Sequence, residues 1–195
     1  MYQVIGTFRS RTLRVLWMLE ELGVPYEHIQ AGPHSDAVKN VNPDGKIPVL
    51  VAEGTALTDS SAILTYLADK HGGVTFPAGT IERARQDGLL HKVLDEVDAA
   101  LWLATRHTFY LPEDQRMPEI KGPLIWEFSK TMRSMENILG DGPFLMGETF
   151  TIPDIVLTHC LGWAINAKFP VESDTLRAYI KRCRGRDAFK RAAET

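Results

Sequence analysis

Apolar positions fall into two rhythms along this chain. Tyr2 to Ile5 is a short run of β-forming residues, and Tyr26 to Ile29 is another. Between them Val15, Met18, Leu19 and Leu22 recur at the i, i+3, i+4, i+7 spacing of one helix face. Gly23 and Pro25 stand where a left-handed cap and a stop belong. Residues 35–41 predict a short irregular helix. Two more strands are expected at 49–52 and 56–58, joined by a tight Glu53-Gly54 turn. Ile63, Tyr66 and Leu67 mark a helix that ends near Gly72-Gly73. The order is β-α-β, a loop, then β-β-α. A parallel pair with a helical crossover plus an antiparallel hairpin makes a four-stranded mixed sheet.

Beyond residues 72–79 the strand signals vanish. Residues 81 to about 110 form one long helical pattern, with Leu90, Val93, Leu94, Val97 and Leu101 as its buried stripe. Leu111-Pro112 breaks it. A second helix is expected from about 119 to 139, carrying Ile125, Phe128, Met132, Met135 and Leu139, and two or three shorter helices follow. The run TIPD, Thr151 to Asp154, reads as a capping box with aspartate in place of the usual Glu or Gln, flanked by Phe150 and Ile155 as a hydrophobic staple. It starts a helix over 152–167. The expected architecture is therefore a small α+β domain over residues 1–76 and an all-helical domain over 77–195.

Composition narrows the function classes. A chain of 195 residues, 44% apolar, can bury a proper core. Its net charge is −3 with both signs scattered, and no basic stripe offers itself to a phosphate backbone, so nucleic acid is not an expected partner. No apolar run approaches the roughly 18 residues of a membrane span. The opening MYQVIGTFRSR lacks a charged leader followed by an apolar run, so no secretory signal is expected. The two cysteines, Cys160 and Cys183, have no metal spacing and read as buried thiols of a cytoplasmic protein.

Two short segments speak of chemistry. Ile47-Pro48 sits at the entrance of the third strand, where proline is confined to edges, first positions and bulges. A trans bond would make it an ordinary first residue. A cis bond would turn the Ile47 N–H and C=O outward, free to pair with an extended peptide. In TDSSAI, residues 58–63, Ser60 and Ser61 fall at a helix N-terminus, where free N–H groups and the positive dipole end accept a carboxylate. Plain N-capping by Asp59 or Ser60 is the alternative.

NPDGKIPVL followed by LTDSSAILTYLADKHG resembles the glutathione-binding half of the cytosolic glutathione S-transferase superfamily. RTLRVLWMLEELGVPYE is similar to its first helix and second strand, and FTIPDI to its helical-domain capping box. The resemblance implies a thioredoxin-like, glutathione-binding domain over 1–76, an all-α helical bundle after it, and a homodimer. It also implies site residues. In serine-type, theta-like members the activating hydroxyl lies four positions before an arginine of the first helix. Here that arginine resembles Arg14, which points to Ser10. A thiol of pKa about 8.5 is mostly protonated at pH 7, and lowering it by two units takes about 2.7 kcal/mol. A hydrogen bond from Ser10 and the helix N-terminus can each supply part of that, with Arg11 adding positive potential. Thr12 competes for the role, and helix capping alone is a third assignment.

By the same resemblance Ile47 pairs its backbone with the cysteinyl part of glutathione through a cis Pro48. Asp59 and Ser60 hold the γ-glutamyl end, and Lys46 and His34 face the glycyl carboxylate, His34 only after a one-residue gap. Trp102, Arg106, His107 and Tyr110 are candidates for the wall of an electrophile pocket. Asp95, Glu96 or Asp98 are options for reaching the partner's ligand. No metal is implied. The expected function is conjugation of glutathione to small electrophiles, with glutathione-dependent peroxidase activity as an addition. The alternative is a non-catalytic glutathione-binding or assembly module of the same fold. FRSRT lacks the Ser-Ser-Cys cluster of the isomerase branch.

Overall fold

Four strands, β1 (Tyr2–Ile5), β2 (Tyr26–Ile29), β3 (Val49–Ala52) and β4 (Thr55–Thr58), form one sheet in the order β2-β1-β3-β4. β1 runs parallel to β2, with Tyr2 opposite Tyr26. It runs antiparallel to β3, with Val4 opposite Leu50. β4 completes the hairpin, with Leu50 opposite Leu57, and starts one residue earlier than the sequence pattern predicts. Val4, Val49 and Leu50 are fully buried. Branched and bulky apolar residues suit such a pleated, enclosed surface.

Helix α1 (Leu13–Leu22) is buried on more than the predicted stripe: Val15, Leu16, Trp17, Met18 and Leu19 are all inaccessible to solvent. The reason lies at the other end of the chain. α1 packs against α3 (Ser60–His71) and also against the last helix, which returns to it. α1 ends at Gly23, whose φ of 63° is the left-handed cap its position in the sequence predicts. The short α2 (Asp36–Lys39) buries Val38 against Ile5 and Val49.

The helical part begins with α4 (Ile81–Lys92), continues through a wide π-helical stretch (Val93–Asp98) into α5 (Ala99–Thr105), and ends in a second wide stretch (Arg106–Tyr110). The run is unbroken, as its single hydrophobic stripe requires, and stops where Leu111 turns extended. α6 (Lys121–Leu139) buries Phe128, Met132, Met135 and Leu139. α7 (Ile152–Asn166) is the central helix, with eleven buried residues, and its capping box is formed by Thr151 and Asp154. α8 (Asp174–Arg184) and α9 (Asp187–Glu194) close the chain.

The computed structural model describes residues 1–194. They fall into two units: Met1–Arg83 together with the segment from Arg184 onward, and Ala84–Cys183. The sequence pattern predicts a single division after residue 76, with the last helix in the helical domain. The structure assigns α9 to the first unit, because its apolar side is completed by α1. There Phe189 stacks edge-on against Trp17 at 4.9 Å, and Arg186 grips Glu21 through two bonds of 2.6 and 2.7 Å. Among the described residues no helix is long and apolar enough to cross a membrane.

Candidate functional site

The sequence-predicted residues Ser10, His34, Lys46, Ile47, Pro48, Asp59 and Ser60 all lie in the first unit. Ser10 stands at a break just before α1. Its φ of −139° and ψ of −170° are extended, and Arg9 before it is also non-helical at φ −78° and ψ 32°, so the turn Phe8–Thr12 is kinked at these two residues. The Ser10 hydroxyl is 2.7 Å from the Thr7 carbonyl oxygen and 2.9 Å from the Thr12 hydroxyl, and it accepts the Thr12 N–H at 3.1 Å. A serine hydroxyl has one proton. If that proton goes to Thr7, the Thr12 hydroxyl is the donor in the second bond. Ser10 therefore caps the helix entrance in this state, the capping role that its position also predicts. Thr12 is fully buried and sits over Gly6, where a Cβ would come within 2.2 Å of its hydroxyl. Of the two residues only Ser10 is partly open to solvent.

The loop before β3 assembles the next part. The Ile47–Pro48 peptide bond is cis. Asn42, buried, fixes the loop by donating its side-chain amide to the Lys46 carbonyl at 2.9 Å. Among the described residues no hydrogen bond engages the N–H or C=O of Ile47, which precedes the first ladder residue, Val49. Its side chain packs toward Ile5, Val38 and Val49. His34 adopts a left-handed φ of 62° and donates its N–H to Gly45 at 2.7 Å. Gly45 has φ of 70°, and a Cβ there would lie 2.2 Å from the His34 ring. This contact holds His34 against the residue that precedes Lys46, and His34 and Lys46 are both exposed.

The N-terminus of α3 is the third part. Asp59, at a φ of 66°, is the N-cap, and one of its carboxylate oxygens receives the N–H groups of Ser61 and Ala62 at 2.9 and 3.0 Å together with the Ser61 hydroxyl. Burial pushes the Asp59 carboxyl up, but the Ser61 hydroxyl, the Ala62 and Ser61 N–H groups and the Arg14 charge outweigh it and hold it below the usual carboxylate range. Ile63 donates to the Asp59 carbonyl at 3.0 Å. Of the four opening N–H groups, that of Ser60 makes no bond among the described residues, and Ser60 is only 3% exposed. Its hydroxyl accepts from Arg14 at 3.3 Å.

The family resemblance uses Arg14 only to locate Ser10, and apolar patterning does not report its bond to Ser60. The available signal was its place: it lies three and four residues before Trp17 and Met18, on the apolar side of α1. Residues proposed for an electrophile wall are occupied within the second unit. Trp102 and Tyr110 stack edge-on at 5.2 Å, and the His107 ring accepts the Met117 N–H at 3.1 Å. Glu96 pairs with Lys92 and Thr131, and the buried Asp98 accepts the Cys160 thiol.

Comparison with known proteins gives this arrangement its context. Residues 8–70 match the glutathione S-transferase N-terminal domain family and residues 127–182 the corresponding C-terminal domain family. The chain is 30% identical to "Glutathione S-transferase theta-1" of Mus musculus over 95% of its own length and 84% of that protein's. It is 31% identical to "Glutathione S-transferase U8" of Arabidopsis thaliana over 77% of its length, and there it spans 66% of the relative, just under two thirds. The crystal structure of the theta class enzyme of Xanthomonas axonopodis pv. citri with glutathione bound superposes with a TM-score of 0.79 at 25% identity, covering 100% of this chain and 97% of that one. The chain belongs to the glutathione S-transferase superfamily.

Proposed function

We propose that this protein binds glutathione along the open backbone of Ile47 and conjugates its thiol to small hydrophobic electrophiles. The observation that carries the reading is a pair of unspent backbone positions in one unit: the Ile47 N–H and C=O, and the Ser60 N–H at a helix N-terminus. Main-chain pairing at Ile47 suits the cysteinyl residue. The Ser60 N–H and hydroxyl suit the α-carboxylate of the γ-glutamyl group. The carboxylate oxygen of Asp59 that makes no capping bond suits its ammonium. His34 and Lys46 face the glycyl carboxylate, and residues 1–76 form the glutathione-binding domain. Likeness to a theta class enzyme with glutathione bound supports the same assignment.

In this reading Ser10 exchanges the Thr7 carbonyl for the ligand's sulfur, donating its proton to the thiolate, while the thiol proton passes to solvent. The sulfur attacks an electrophilic carbon, a C–S bond forms, and the leaving halide departs with the bonding electron pair. With a hydroperoxide, two glutathione molecules would give one disulfide, an alcohol and water. We assign the working form as a cytoplasmic homodimer without a metal. The test is turnover of 1-chloro-2,4-dinitrobenzene with glutathione. Ser10→Ala should lower kcat/KM by at least about tenfold, and an unchanged rate removes Ser10 from the mechanism.

One observation favours a second reading, a glutathione-binding or assembly module without turnover: the Ser10 hydroxyl is already engaged by Thr7 and Thr12. Calorimetry beside the turnover assay separates the two. Binding without a thiolate absorbance and without turnover would establish the module.

A further inference from the structure

A fully buried arginine needs a reason. Arg14 is 0% exposed inside α1, and charged side chains are seldom enclosed without partners that hold them. It has further contacts of its own, but its reach across the fold is specific: one guanidinium nitrogen donates to Ser60, 46 residues away, at 3.3 Å. Its charge also acts on Asp59, the neighbouring cap residue. The consequence for Ser60 follows from hydroxyl chemistry. A guanidinium only donates, and a hydroxyl has one proton and two lone pairs. Once Ser60 accepts from Arg14, its own proton is left for another acceptor. That proton and the unspent Ser60 N–H then belong to one residue at the mouth of α3.

Resting on the glutathione reading above, we propose that Arg14 is a positioning residue: it holds the Ser60 hydroxyl as an acceptor so that its proton is delivered to the α-carboxylate of a γ-glutamyl group. Arg14 itself touches no ligand. It acts through Ser60 and helps keep Asp59 ionised for the ligand's ammonium. The device therefore serves one end of the tripeptide, leaving the cysteinyl and glycyl contacts to Ile47, Lys46 and His34.

The experiment compares two ligands, glutathione and cysteinylglycine, which lacks the γ-glutamyl group. Calorimetry on the unmodified protein comes first, and failure to bind glutathione there overturns the functional reading itself. Given binding, Arg14→Met should weaken glutathione by roughly tenfold or more while leaving cysteinylglycine unchanged, with the loss appearing in KM rather than kcat. Arg14→Lys should recover part of it. A folded Arg14→Met protein that keeps its glutathione affinity, or loses both ligands equally, overturns the proposal. Should that variant fail to fold, nitrogen-15 spectra of the unmodified protein decide. The Arg14 side-chain signals should shift with glutathione but not with cysteinylglycine, and Ser60→Ala should abolish that shift. Arg14 signals unmoved by bound glutathione would overturn it.

Discussion

Asp59 is held by geometry that makes its ionisation useful. Its carboxylate oxygen takes three donors from the first turn of α3, so the charged form is favoured in the folded protein. Asp59→Ala should cost about 1 kcal/mol of stability at neutral pH, read by urea unfolding. Because the folded pKa is depressed, that contribution is complete above the unfolded value of about 3.9 and is lost as the pH falls through the folded value. The unfolding curves of the two proteins should therefore converge in acid, and a difference that persists there would show that the cap does not act through charge. Gly45 is a second residue with no freedom. Its positive φ and the 2.2 Å approach to His34 exclude a side chain, so Gly45→Ala should destabilise by about 1–3 kcal/mol. In the proposed glutathione reading the same change should also weaken binding by displacing His34 and Lys46, measured by calorimetry.

At the scale of elements, two helices are fastened by polar groups that apolar patterning does not report. The start of α7 depends on Asp154, which is fully buried. One of its oxygens accepts the Leu145 N–H and the Tyr179 hydroxyl at 2.9 and 2.8 Å, and the other accepts the N–H and hydroxyl of Thr151 at 2.9 and 3.2 Å. Asp154→Ala strands these donors in a dry interior and should cost about 3 kcal/mol or more, against about 1 for Thr151→Ala. Equal losses in the two variants would reduce the box to simple capping. The second fastening joins α9 to α1. Glu21 is 7% exposed; Arg186 donates to both of its carboxylate oxygens, and the Trp17 indole N–H donates at 2.9 Å to Oε1, which Arg186 also reaches. Arg186→Ala leaves that carboxylate half-paired and should lower stability by about 2 kcal/mol. Near-ultraviolet circular dichroism should report the loosened environment of Trp17, and an unaltered spectrum and midpoint would make α9 an ornament to α1.

For the whole molecule, light scattering should return twice the 21.9 kDa chain mass for the proposed homodimer. A mass of one chain at working concentration would remove the dimer from the functional reading. Much of the architecture was legible beforehand because it rests on local chemistry. A period of two wrote the strands, a period of 3.6 wrote the helices, and Gly23, Gly72 and the TIPD run marked where helices stop and start. The candidate site was legible only as separate motifs, each carried by a few adjacent residues: FRSRT, GKIP and TDSS. What the chain alone could not state was how those pieces meet. Arg14 reaches Ser60 across 46 residues, and Arg186 reaches Glu21 across 165. The engagement of Ser10 by Thr7 depends on a backbone break that no propensity records. Patterning reports which side of a segment avoids water, since that is settled by neighbours three or four residues away. Which partner covers that side, and which hydroxyl keeps a proton to offer, is decided only when distant segments are packed together, because burial sets the cost of leaving any donor or charge unmatched.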